Sequence, residues 1–179
     1  MLVARVVAGA RSHVYQRQSR FFPPSGFSEA LRTPGRDLWI MHPAGEPAPI
    51  SPETVDPSAT GHDPDILLLD GTWRQAGDML RDVEGIGRCV RLPKVDDEPS
   101  RFWLRDQAGP GQLSTAEAVM GVFSLFREST AVHRLRLQFE LHVYATLLAR
   151  GKREMAERYL GHSPLLAEAP QVLDQLHRR

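Results

Sequence analysis

Two short apolar runs stand out in the first half of the chain. Leu38-Trp39-Ile40-Met41 is stopped at His42-Pro43, and Ile66-Leu67-Leu68-Leu69 is bounded by Asp65 and Asp70. Neither run alternates apolar with polar positions. Each therefore predicts a strand buried on both faces, as in a parallel sheet. Arg88 to Leu92 is a third, shorter strand with Cys89 and Val90 as its apolar members, and Ser12 to Gln18 is a fourth candidate. Between and after these runs the period changes to that of a helix. Leu2, Val3, Val6, Val7 and Ala10 predict a short opening helix, and Ser28 to Arg32 a second one with Ser28 as N-cap. Trp73, Ala76, Met79 and Leu80 mark a third, ending near Gly85 and Gly87. Val119, Met120, Val122, Phe123 and Phe126 form the apolar stripe of a fourth. It opens at Leu113-Ser114-Thr115-Ala116-Glu117-Ala118, where Ser114 and Glu117 have capping-box spacing. A long helix from about Ala131 to Arg150 carries Leu135, Phe139, His142, Val143 and Thr146 on one face.

Breakers separate the elements. Phe21-Phe22-Pro23-Pro24-Ser25-Gly26 cannot continue regular structure, and six prolines between Pro43 and Pro64 predict a long surface loop. Pro93 to Pro99 reads as an acidic turn and Gly109-Pro110-Gly111 as another. Residues 151–179 mix basic, small and proline-containing pieces and read as a frayed tail. Alternation of strands and helices predicts an α/β fold with a mainly parallel sheet and flanking helices. The 179 residues suggest one domain.

Composition narrows the class. Hydrophobic residues make up 41% and charged residues 25%, ordinary for a globular domain, and no apolar run approaches a membrane span. The start, Met1 to Arg11, does not read as a signal peptide. A single cysteine, Cys89, excludes a disulfide framework within one chain and fits a reducing cytoplasm. Net charge is zero but unevenly spread: residues 1–36 carry six Arg against one Glu, residues 50–100 five basic against eleven acidic, and residues 130–179 eight basic against five acidic. Basic ends can present a positive strip to a polyanion, or simply make a mixed, solvated surface.

The candidate chemistry gathers at three stations. At the first, Asp70 ends an apolar strand, Gly71 turns the chain, and Thr72 and Trp73 open a helix. Open α/β sheets place ligands at the carboxyl ends of their strands. A buried Asp70 would have a raised pKa and could accept a proton or orient a substrate; it could equally cap the helix. Trp73 can stack on a base or adenine ring, a contact of ~1–3 kcal/mol, or fill the core. At the second, Arg101 and Arg105 flank Phe102-Trp103-Leu104 and can grip a carboxylate or phosphate, or pair with Asp96, Asp97 and Glu98. At the third, Ser114, Thr115 and the helix start offer an anion site or plain capping. The seven histidines show no metal-ligand spacing, so no metal is expected. Phosphate-loop, dinucleotide and nucleophile-elbow motifs are absent, and Cys89 reads as an inert thiol.

In this order the stations resemble one family. Asp70-Gly71-Thr72-Trp73, followed by Ala76, is similar to the signature of the DTW-domain proteins. Ser100-Arg101-Phe102-Trp103-Leu104-Arg105 resembles the family's segment that opens Ser-Arg and closes Leu-Arg, and Ser114-Thr115-Ala116-Glu117-Ala118 its Ser-Thr-x-Glu-Ala helix start. The likeness spans about residues 1–155, leaving 156–179 as a C-terminal tail. It implies a transferase that moves the 3-amino-3-carboxypropyl group of S-adenosylmethionine to N3 of a uridine in tRNA, on a SPOUT-like α/β fold with a knotted cofactor site. It also implies roles: Asp70, Arg101 and Arg105 in the chemistry, and Thr72, Trp73, Leu113, Ser114, Thr115 and Glu117 around S-adenosylmethionine. In that assignment an arginine holds the carboxylate of the transferred group and Glu117 its amine. Family members commonly begin with a cysteine cluster and a strand bearing His, Glu and a Thr-Gly turn. This sequence lacks them, so it reads as a member shortened at its N-terminus. Two rival readings stand beside the enzyme: a shortened, non-catalytic module that binds RNA or a protein partner, and a generic α/β ligand-binding domain.

Overall fold

The computed structural model describes residues 7, 10–13, 31–50, 64–93, 100–105 and 113–177. Its sheet is parallel and three-stranded, in the order β2-β1-β3, with β1 at Leu38–Pro47, β2 at Asp65–Leu68 and β3 at Arg88–Arg91. The helices are α1 (Trp73–Asp82), α2 (Thr115–Leu125), α3 (Ser129–Ala149), α4 (Arg153–Leu160), α5 (Leu165–Glu168) and α6 (Pro170–His177). The predicted α/β class with flanking helices is therefore correct. The predicted opening helix, the strand at Ser12 to Gln18, the acidic turn and the glycine turn lie wholly or mostly outside the described residues.

The central strand shows why its sequence does not alternate. Side chains of a strand point alternately to its two faces. Leu38 and Ile40 pack with Leu31, Val83 and Ile86, while Trp39 and Met41 pack with Val90, Val122 and Leu125. β2 divides likewise, Leu67 and Leu69 joining the first cluster and Ile66 and Leu68 the second. Both faces of β1 are covered, so Leu38 to Met41 are all apolar, and burying each such side chain contributes about 1.5–3 kcal/mol; β2, at the edge of the described sheet, is half-buried.

Pro43 does not end β1. The strand resumes its pairing with β3 after a register shift: Met41 and Glu46 both face Val90, so the residues between them bulge out of the ladder. A proline has no N–H for the ladder and is tolerated at such a bulge. Gly45 sits where a Cβ would lie 2.6 Å from the Val90 nitrogen, too close for any side chain. The loop predicted from Pro43 thus begins later in the chain.

The second half is a helical layer. α2 covers the sheet and α3 packs on α2. Phe139, Val143, Tyr144 and Leu147 of α3 enclose a core with Ala156, Tyr159, Leu165 and Leu173. The last four belong to α4, α5 and α6, so residues 153–177 are packed structure rather than a frayed tail. Tyr144 and His177 Nε2 share a hydrogen bond of 2.5 Å that ties α6 to α3. The tail reading failed because each apolar pair there is short and split by prolines, and only α3 completes the face. His142, placed on the apolar stripe of α3 by spacing, is exposed. Among the described residues no helix is long and apolar enough to cross a membrane.

A chain ending at Arg150 should unfold at a lower temperature than the full chain. Losing one buried aromatic such as Tyr159 costs about 3–5 kcal/mol, and each kcal/mol moves the midpoint by about 2–4 °C at this size. A drop of about 10 °C in a circular dichroism melt is the expected result; an unchanged midpoint would restore the frayed tail.

Candidate active site

Two capped helices meet at the carboxyl end of β2. Thr72 is the N-cap of α1: its hydroxyl accepts from the Gln75 amide, and Gln75 Oε1 accepts from the Thr72 amide at 2.8 Å. Ser114 caps α2 in the same reciprocal way with Glu117, whose carboxylate accepts from the Ser114 amide at 2.7 Å. Asp70 is therefore not the cap of α1. It is also exposed rather than buried. Its Oδ1 instead accepts a hydrogen bond of 2.6 Å from the Thr115 hydroxyl, which joins the strand end to the first residue of α2. Trp73 and Leu113 stand beside this bond in the chain, 38% and 42% exposed, two of the large apolar side chains the fold leaves in solvent.

The Arg101 turn is joined to the same corner by its backbone and not by its charge. Glu117 receives the Arg101 amide at 2.7 Å and the Ser100 hydroxyl at 2.9 Å. The guanidinium points away. Its Nε and Nη2 donate to the two oxygens of Glu140 at 3.0 and 2.7 Å, and Nη2 also donates to the Tyr159 carbonyl at 3.2 Å. The guanidinium carbon lies 4.1 Å over the Tyr159 ring, which meets Trp103 edge-on. Glu140 is 1% exposed, and this guanidinium meets both of its oxygens. Burial alone would lower the Arg101 pKa, but the hydrogen bonds and negative charge of Glu140 outweigh it and the net shift is upward. Burial, followed by the field of Glu140, pushes the Tyr159 phenol far up, so it stays protonated; its hydroxyl has no hydrogen-bond partner among the described residues.

Arg105 differs. It is exposed, lies 5.4 Å over the Phe102 ring, and has no carboxylate partner among the described residues. Arg150 donates to the Leu104 carbonyl at 3.0 Å and steadies the same turn. Burial raises the Cys89 thiol pKa, which suits an inert side chain. Among the described residues no group of three or more His, Cys, Asp or Glu could hold a metal ion.

A family model for the DTW domain matches residues 1–149. The chain belongs to the DTW-domain family. No curated protein and no solved structure matches it. The DTW signature, Asp70-Gly71-Thr72-Trp73, thus stands at a corner where its aspartate binds the helix start of another motif. The three stations come together, but unequally: Asp70, Thr72, Trp73, Leu113, Ser114 and Thr115 share one corner, Glu117 is a joint between α2 and the Arg101 turn, and the Arg101 head lies in the helical core. Gln75, Glu140 and Tyr159 were not anticipated. The Thr72-to-Gln75 spacing has the form of a capping box and was legible. Glu140, Tyr144 and Leu147 follow helical spacing, so a carboxylate on that apolar stripe signalled a buried cation.

Glu140→Ala removes the partner of a largely buried guanidinium, and stability should fall by roughly 3–5 kcal/mol. Arg105→Ala removes an exposed charge and should stay within about 0.5 kcal/mol of wild type. Urea unfolding of both variants checks the contrast. Equal effects would mean that Arg101 and Arg105 are not divided into a structural and a free arginine.

Proposed function

We propose that this DTW-domain protein transfers the 3-amino-3-carboxypropyl group of S-adenosylmethionine to N3 of a uridine in tRNA. The observation that carries the reading is the exposed Asp70 carboxylate, held by Thr115 at the mouth of two helices with Trp73 and Leu113 uncovered beside it. The family's motifs supply the reaction, and a SPOUT-like cofactor site belongs to the same reading.

The chemistry asks for a base, a platform and a grip. Uridine N3–H is a weak acid. Its proton passes to the Asp70 carboxylate as N3 attacks the carbon bonded to sulfur. The N–C bond forms, the C–S bond breaks, and the sulfonium leaves as a neutral thioether. Asp70 Oδ1 is already steadied by Thr115, so Oδ2 takes the proton. Trp73 offers a face for a base or for adenine. Arg105, rather than Arg101, is the guanidinium we assign to the carboxylate of the transferred group, because Arg101 is engaged by Glu140. Glu117 is engaged by Ser100, Arg101 and Ser114, so binding an amine there would have to displace one of them.

The test uses S-adenosylmethionine labelled in its aminocarboxypropyl group, incubated with the protein and bulk tRNA. After nuclease digestion the label is expected on a modified uridine. Asp70→Ala should slow transfer by about 10²- to 10⁴-fold, the usual worth of a general base, with the fold unchanged by circular dichroism. No label in RNA despite S-adenosylmethionine binding by calorimetry would overturn the transfer. Wild-type rates in Asp70→Ala would overturn the role of Asp70.

A further inference from the structure

At the opposite end of α2 from Asp70 and Thr115 lies a cavity of about 360 Å³. Its walls are Ser124 from the last turn of α2, Arg127 from the connection, and Ser129, Val132, His133 and Arg136 from the first two turns of α3. Ser129, Val132, His133 and Arg136 stand at i, i+3, i+4 and i+7, the spacing of one helix face. Farther along, the same face carries Glu140, Val143 and Leu147 and is filled by α4 and the Arg101 head. The cavity is the open continuation of a face that the rest of the helix closes.

Its charge is one-sided. Arg136 precedes Glu140 by four residues, the spacing at which a helix normally pairs opposite charges. Both Glu140 oxygens are taken by Arg101 instead. Arg136 and Arg127 therefore line one cavity with no carboxylate partner among the described residues. His133 is the one wall residue with an acidic partner, Glu168 at 2.8 Å, and Glu128 is the acidic neighbour of Arg127 in the chain. Two like charges facing the same space repel, and an anion between them relieves that. The Ser124 and Ser129 hydroxyls add neutral donors of the kind that bind phosphate oxygens.

We propose that this cavity holds the phosphodiester backbone of RNA, with Arg127 and Arg136 each contacting a phosphate. The assignment rests on RNA being the macromolecular substrate. Thr115 and Ser124 are nine residues apart on α2, about 14 Å along its axis. At a rise of ~3.4 Å per nucleotide along a duplex strand this is about four nucleotides. A strand whose uridine sits at Asp70 then reaches the cavity, which holds its backbone without reading its sequence.

The experiment measures fluorescence anisotropy of labelled bulk tRNA on the full chain, between about 50 and 200 mM salt. Arg127→Ala/Arg136→Ala should weaken binding roughly tenfold or more and flatten the plot of log affinity against log salt by about 1.4 to 1.8, two phosphate contacts' worth. Arg127→Lys/Arg136→Lys keeps both charges and should retain the wild-type slope. Arg134→Ala/Arg158→Ala removes equal charge from exposed positions outside the cavity and should also retain it. A wild-type slope in the first variant overturns the proposal, as does an equal loss in the Arg134/Arg158 pair. Wild type that binds no tRNA overturns both this surface and RNA as substrate. Because transfer is not the readout, RNA binding through this cavity by a chain that transfers nothing would support the surface while overturning the enzymatic reading.

Discussion

A carboxylate almost wholly removed from water persists only if its charge is matched on the spot. Glu140 is such a carboxylate, and Arg101 matches it through two hydrogen bonds. The pairing settles much else. It draws the 100–105 turn against the helical layer, so that Phe102 stacks on Phe139 and Trp103 meets Tyr159. With that turn placed, its backbone reaches Glu117, and Glu117 in turn caps α2. The first residue of α2 then finds Asp70. Four links run from a buried charge in the helical core to an exposed carboxylate at the sheet.

The two layers differed in how far the amino-acid sequence disclosed them. β1 and β2 were legible because each is an unbroken apolar run; β1 is buried on both faces as such a run suggests, whereas β2, at the edge of the described sheet, is half-buried. α2 was legible from its cap and its stripe together. The extension of β1 past Pro43 was not, since a bulge depends on what the neighbouring strand opposes to it, and Gly45 meets Val90 only in three dimensions. The last three helices were missed for a related reason: these short segments bury one or two residues each, and the face they complete belongs to α3, many positions earlier.

The candidate site shows the same division. Asp70, Trp73, Ser114 and Thr115 are neighbours in space as the motif order suggests. The two arginines of one motif look equivalent in sequence and are not equivalent in the fold. What separates them is Glu140, an acid outside the motif whose importance comes from burial alone. Much of this signature is thus jointing: Thr72 with Gln75, and Ser114 with Glu117, secure helix starts, and each pair needs its three-residue spacing to do so. The residues left over for a substrate are the ones the joints do not use.

The bond from Arg101 to the Tyr159 carbonyl spans 58 residues of chain. Domains form as they leave the ribosome, from the N-terminus onward. The sheet, α1 and α2 can be assembled from residues already made, but the Arg101 head has its full set of partners only once α3 and α4 have emerged. Through Glu117 the Asp70 corner is tied to the 100–105 turn, so a signature made early in the chain is braced by partners made later.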